Sequence, residues 1–321
     1  MASLKPKRTG RLGAAADRLS RDERAATARA IARSAYLGGR RLAERVGVQV
    51  VVATYDSPVP RIADLTDEIF AAESPLRGID WDPSRQMDWI EHELGPYLRE
   101  FSPARGRDSA PGEFTLDNDT FESVDAELLY AFVRRFKPER VVELGSGFST
   151  LVARMALDRN AADGHPGTLD TYDPYPSGQV MARLDLRERV QRIAAQDTDP
   201  ALIAGLAPDD ILFVDTTHTV KIGGDVNRVV LDLLPLVPPG VVVHFHDIFL
   251  PRDYSRGHIE GAHFWTEQYL VQAFLSGNRE WEVLVGANSV AHAHRDRLQA
   301  LIPSITPRVE PGSLWLRRLA P

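Results

Sequence analysis

At 321 residues, 43% hydrophobic and 26% charged, the chain has room for one large α/β domain plus an accessory region. It contains no cysteine, which excludes disulfides, thiolate zinc sites and a cysteine nucleophile and fits a reducing cytoplasm, the expected location. The net charge of −7 is uneven: residues 1–45 hold twelve Lys/Arg against four Asp/Glu, so the remainder is strongly acidic and does not suit a nucleic-acid partner.

The N-terminal stretch is basic but lacks the apolar core and cleavage site of a secretory signal. No apolar run reaches the roughly 18 residues of a membrane-spanning helix. Residues 14–45 are Ala-rich, free of proline and helical in pattern, with Arg18, Arg21, Arg24, Arg29, Arg33, Arg40, Arg41 and Arg45 along them. Asp17, Asp22 and Glu23 interrupt that basic run, which favours a solvated face over an acidic-partner or membrane surface. Val48–Thr54 has the β-branched composition of a strand, and Ser57–Pro60 is a turn. Residues 63–104 alternate short helical pieces with Pro and Gly breaks, and 103–113 is a linker. The organisation is therefore a basic helical arm (1–45), an accessory or cap region (46–113) and a main domain (114–321).

A helix over Ser123–Phe136 leads into alternating strands and helices. Strands are expected at 140–144, 168–172, 190–194, 211–214, 241–245, 281–285 and 313–317, with helices to about 158, over 223–233 and over 264–276. The last two strands are close enough to pair antiparallel. The fold class is α/β: a Rossmann-like seven-stranded sheet with helices on both faces and a mainly helical N-terminal extension.

Val141-Val142-Glu143-Leu144-Gly145-Ser146-Gly147-Phe148-Ser149-Thr150 reads as a buried strand, a tight turn and a helix start. Gly145 and Gly147 let the backbone approach a ligand, and the free N–H groups of the following helix add partial positive charge. Dinucleotide folds prefer a third glycine where this chain has Thr150. Glu143 just before the turn would repel a pyrophosphate and suits a methionine-like ammonium. These residues resemble motif I of the class I S-adenosylmethionine (SAM) dependent methyltransferases. Glu143, Gly145, Ser146, Gly147, Ser149 and Thr150 are then cofactor-binding candidates.

Open α/β sheets place ligands beyond the carboxyl ends of their strands, and the remaining polar clusters fall there. Asp173 can accept two ribose hydroxyls, in a SAM or an NAD enzyme alike, or it caps its own loop. Gln196 and Asp197 stand where an adenine amino group would arrive. Asp215-Thr216-Thr217-His218 and His244-Phe245-His246-Asp247 end two neighbouring strands, so Asp215 and Asp247 should approach each other. Asp215, His246 and Asp247 are candidate ligands for Mg2+ or another divalent cation that would grip acceptor oxygens. Catechol-type O-methyltransferases put acidic ligands at these two strand ends, but with Asp-Asn where this chain has His-Asp. His218 is the candidate general base, with metal ligation as its runner-up role. His244, one pleat deeper, reads as buried and structural, and His292 and His294 as surface. His246-Asp247 are adjacent and His244 stands three before Asp247, so neither has the His-x-Asp spacing of a non-haem iron site. Arg252 and Tyr254, in a long polar loop, are candidates to hold a polar or anionic acceptor.

Taken with Tyr55–Pro60, Asn118–Asp125 and Gly312-Ser313-Leu314-Trp315-Leu316, these motifs resemble the bacterial methyltransferase family 24 group, related to macrocin O-methyltransferase and cephalosporin-hydroxylase-like proteins, over about residues 50–318. The resemblance implies SAM as donor, a small hydroxylated acceptor such as a sugar or secondary metabolite, and a segment with Asn118 and Phe121 covering the cofactor. The reading is a SAM-dependent O-methyltransferase with Asp215, His218 and Asp247 as catalytic residues. An NAD-dependent oxidoreductase and a non-catalytic SAM-binding subunit are the alternatives. Trp81, Trp89 and Trp265 are candidates for a homo-oligomer interface or for core.

Overall fold

The computed structural model describes residues 21–52, 54–104, 106, 113–176 and 190–320. Arg18 and the first part of the arm, and most of the linker after Ala104, lie outside the described residues. The chain divides into two compact units, up to Asp64 and from Leu65 onward. In the first unit, α1 (Arg21–Glu44) is followed by Val48–Val52, an exposed stretch with no strand partner among the described residues. The expected strand at 48–54 therefore does not form. Tyr36 instead donates its hydroxyl to the Val50 carbonyl.

In the second unit seven strands form one sheet: β1 (Arg140–Leu144), β2 (Thr168–Tyr172), β3 (Val190–Gln191), β4 (Ile211–Val214), β5 (Val242–Phe245), β6 (Trp281–Gly286) and β7 (Leu314–Arg318). Their order is β3-β2-β1-β4-β5-β7-β6, parallel from β3 to β5, with β7 antiparallel to both neighbours. The expected third strand is shorter than its sequence run. After Gln191 the backbone bends, with Asp173 and Ile193 both donating to the Gln191 carbonyl, and the chain enters a 3-10 turn at Ala195–Asp197.

The strands are near-continuous apolar runs because both sheet faces are covered. Alternate residues serve the two sides. Val141, Ile211, Phe213, Val242 and Trp315 join one core with α2 (Asp125–Phe136) and α3 (Phe148–Ala162). Val142, Leu212, Val214, Val243 and Phe245 join the other, with Val226–Leu234. On the first face Trp315 stacks on Phe132, with ring centroids 3.8 Å apart. Met87, Ile90 and Leu94 enter this same core, and residues from 65 onward belong to the second compact unit. Trp89 stacks against Phe132 and Phe136, and Trp81 donates its indole N–H to Ser289. Both are thus part of the fold. Among the described residues no helix is long and apolar enough to cross a membrane.

Candidate active site at the carboxyl ends of the strands

The sheet order reverses direction at β1, opening a crevice between the turns that follow β1 and β4. A cavity of about 820 Å³ lies there, lined by Gly145, Ser146, Asp173, Gln196, Asp197 and Asp215 among others. That size suits a nucleotide-like molecule. Gly145 has φ +98°, and a Cβ there would lie 1.8 Å from the Asp215 carbonyl oxygen. The glycine is required because the β1 turn touches the β4 end, which brings both turns to the same cavity. Around Gly147, in contrast, a Cβ would meet only the Ser149 hydroxyl, at 4.0 Å.

Glu143 is buried on β1 and accepts hydrogen bonds from the hydroxyls of Ser149, Thr150 and Thr171 at 2.8–2.9 Å. Its carboxylate is held among hydroxyls beneath the turn and does not line the cavity, so it shapes the turn from below. Thr150 also accepts from the Gly147 N–H, which closes the turn onto α3. Asp173 ends β2 and accepts from the Ser146 backbone and hydroxyl with one oxygen and from the Tyr175 N–H with the other. It caps its loop and also lines the cavity. Tyr175, Arg192 and Lys221 also line the cavity, although no sequence motif marks them.

Asp215 belongs to this cavity and to a second cluster. His218 is buried, its Nε2 lying 3.2 Å from Asp215 Oδ1 and 3.4 Å from Asp247 Oδ2, and its Nδ1 2.8 Å from Glu267 Oε2. Burial pushes the imidazole down, but hydrogen bonds to Asp215 and Glu267 override it and raise it well above the ordinary histidine value. Burial opposes ionisation of Asp215, yet the charges of His246 and His218 bring its carboxyl down to about 2. His218 and Asp247 both take positive φ, 54° and 55°, a conformation that non-glycine residues adopt at sites where structure over-determines them.

The start of α4 (Glu267–Leu275) supplies that over-determination. Thr266 and Glu267 donate their backbone N–H groups to the His218 carbonyl, and the Thr266 hydroxyl accepts from Val220 N–H. Gln268 accepts from Phe249 N–H and donates to the Arg252 carbonyl, so the loops after β4 and β5 are tied to one helix end. Asp225 fixes the β4 loop from the other side through the Thr217 N–H and hydroxyl. Glu267 went unseen in the sequence because 49 residues separate it from His218.

Residues 142–248 match the model of a family described as a methyltransferase domain. Over that span, about a third of the chain, the sequence is similar to a methyltransferase domain. An uncharacterised protein of Archaeoglobus fulgidus is 31% identical over 127 residues, 38% of this chain; the match spans 56% of that relative's length. Among solved structures, the plantazolicin methyltransferase BpumL, in complex with a desmethyl-plantazolicin analogue and S-adenosylhomocysteine (SAH), aligns with a TM-score of 0.38 and 11% identity, covering 74% of this chain and 90% of that one. Human N-acetylserotonin methyltransferase in complex with SAM gives 0.34 and 11%, covering 62% and 52%.

Several residues expected at the site have other partners. The cation set Asp215, His246 and Asp247 does not assemble: among the described residues no three His, Asp or Glu converge as metal ligands. His218 Nε2 stands between the two carboxylates where a cation would sit, and His246 Nε2 lies 3.8 Å from Asp247 Oδ1. His218 itself, with both nitrogens against carboxylates, is held protonated rather than as a neutral base. Arg252 pairs with Glu73 at 3.1 Å. Tyr254 is 2% exposed and accepts from Gln268 N–H, so it is packing inside the loop. Asn118 spends its amide on its own loop, accepting from Thr120 and Phe121 N–H and donating to the Thr115 and Phe121 carbonyls. Phe121 is buried against Phe213 and His246 and does not reach the cavity. His244 is the expected buried structural residue, bonded to the Ser313 hydroxyl and pushed well below the ordinary value by burial. His292 and His294 bond Glu310 and Ser84 at the periphery.

Proposed function

We propose that this protein transfers the SAM methyl group to a hydroxyl of a small acceptor bound beside Asp215, His218 and Asp247. The observation that carries the reading is the position of Asp215, which lines the cofactor-sized cavity and also receives His218 from the acceptor side. The residues present fit SAM. The cavity is large enough, Asp173 and Ser146 offer polar partners for ribose hydroxyls, Gln196 and Asp197 offer partners for an adenine edge, and Lys221 suits a carboxylate. Bound SAM supplies an electrophilic methyl group on a sulfonium.

The chain's own residues do the rest. Asp215 and Asp247 are acceptors able to orient a hydroxyl, and Asp247 can take up its proton as the oxygen is methylated. His218 holds the two carboxylates at one point and keeps them from repelling each other, and Glu267 holds His218. Positioning of this kind supplies several kcal/mol in a transfer between two bound partners. No step is assigned to a divalent cation, because His218 occupies the place between its expected ligands.

The test is incubation of the purified protein with SAM and a panel of phenols and glycosides, with SAH and methylated product followed by mass spectrometry. Acceptor-dependent SAH with a product 14 mass units heavier supports the reading, the increment of one methylene. SAM binding without turnover on any acceptor would favour a binding subunit.

A further inference from the structure

A group of rings extends outward from His218. Trp265 lies 4.7 Å from the His218 ring, centroid to centroid, and 5.0 Å from His258; His263 stacks on it at 5.0 Å and 14°. Phe249 closes the row 5.1 Å from His258. Tyr254 stands edge-on behind Trp265 at 5.8 Å, buried, and gives the row a fixed backing. Trp265 and His258 are half-buried and His263 is exposed, so the row is reachable from solvent. It begins where the Asp215–His218–Asp247 group ends.

The charges nearby have one sign to spare. Arg252 is committed to Glu73, and Arg256 to Asp67 and the face of Phe70. Asp253 receives Tyr269 and Gln268, while Asp215 and Asp247 face His218. Burial pushes His258 below the ordinary histidine value, so it adds no positive charge. An anion would meet carboxylates here with no uncommitted arginine among the described residues of this loop.

We propose that Trp265 is the specificity-determining residue of the acceptor subsite, offering the part of its indole that His263 leaves uncovered to the flat face of an uncharged ring compound whose hydroxyl reaches Asp215 and Asp247, and that this subsite rejects anionic acceptors. The inference rests on the methyltransferase reading above.

The experiment uses the full chain saturated with SAH and two matched probes, phenyl β-D-glucopyranoside and phenyl β-D-glucuronide, which differ by a carboxylate. Dissociation constants come from saturation-transfer NMR titrations. The glucoside is expected to bind at millimolar or better, the glucuronide at least about tenfold more weakly, and W265A to weaken the glucoside about tenfold. W265F, which keeps a ring, should stay within about threefold, with SAH affinity unchanged in both variants. Equal or tighter glucuronide binding, no glucoside binding, or an unaltered W265A overturns the proposal. Failure of SAH itself to bind would instead bring down the methyltransferase reading.

Discussion

The two sides of the site are built in different ways. On the proposed reading the cofactor side is made of turns that follow β1 and β2, closed largely by near neighbours, Glu143 with Ser149 and Thr150, Gly147 with Thr150 and Asp173 with Tyr175, and joined to each other by Thr171 on Glu143 and Ser146 on Asp173. The acceptor side is made of two loops tied chiefly to α4, by contacts between residues far apart in the chain, His218 with Glu267, Val220 with Thr266 and Phe249 with Gln268, with Asp225 bracing the β4 loop locally. Local turns make a site that many acceptor sides can share, while long-range ties let the acceptor side vary without disturbing the cofactor. Asp215 is where the two meet.

Substitutions can break this division. The largest effect is expected for Gly145→Val, which drives a side chain into the Asp215 carbonyl and damages both sides together; destabilisation above about 4 kcal/mol, read by denaturant melts, should accompany loss of SAM binding. Asp247→Asn should lower turnover about a hundredfold or more while SAM affinity, by calorimetry, stays within about threefold, because Asp247 does not line the cavity. Glu267→Gln removes one partner of a buried charged histidine and should cost about 3 kcal/mol of stability. Its pH signature has a definite sign. The raised value of His218 means that its charge, and the stability it brings, is complete below the unfolded value and is lost as pH rises through the folded one. Without the Glu267 charge that alkaline loss should begin at lower pH. The smallest effect is expected for Arg252→Ala: an exposed pair worth about 0–1 kcal/mol, with turnover unchanged. Chelation by EDTA should likewise leave the rate unaltered.

The same division explains what the sequence disclosed. Strands β1, β2, β4, β5, β6 and β7 were legible to within a residue, since apolar runs between turn signals are a local property. Gly145, Ser146, Asp173, Gln196, Asp197 and Asp215 were legible as cavity-lining candidates because each falls at a strand end. Glu143 was legible as important, but its direction was not: a carboxylate beneath a turn and one facing a ligand have the same sequence. Arg252 and Tyr254 looked suited to an acceptor from residue type alone, and their commitments to Glu73 and Gln268 arise from tertiary contacts. The strand expected at 48–54 had the right composition and no partner strand, and composition does not supply one.

The central claim is that the cavity between the β1 and β4 turns takes SAM. The most direct test is isothermal titration of the full chain with SAM, SAH and NAD, with and without magnesium. The account predicts SAM and SAH dissociation constants on the order of micromolar, no NAD binding and no magnesium effect. Binding of NAD without SAM would contradict it and make Asp173 the ribose partner of a dehydrogenase.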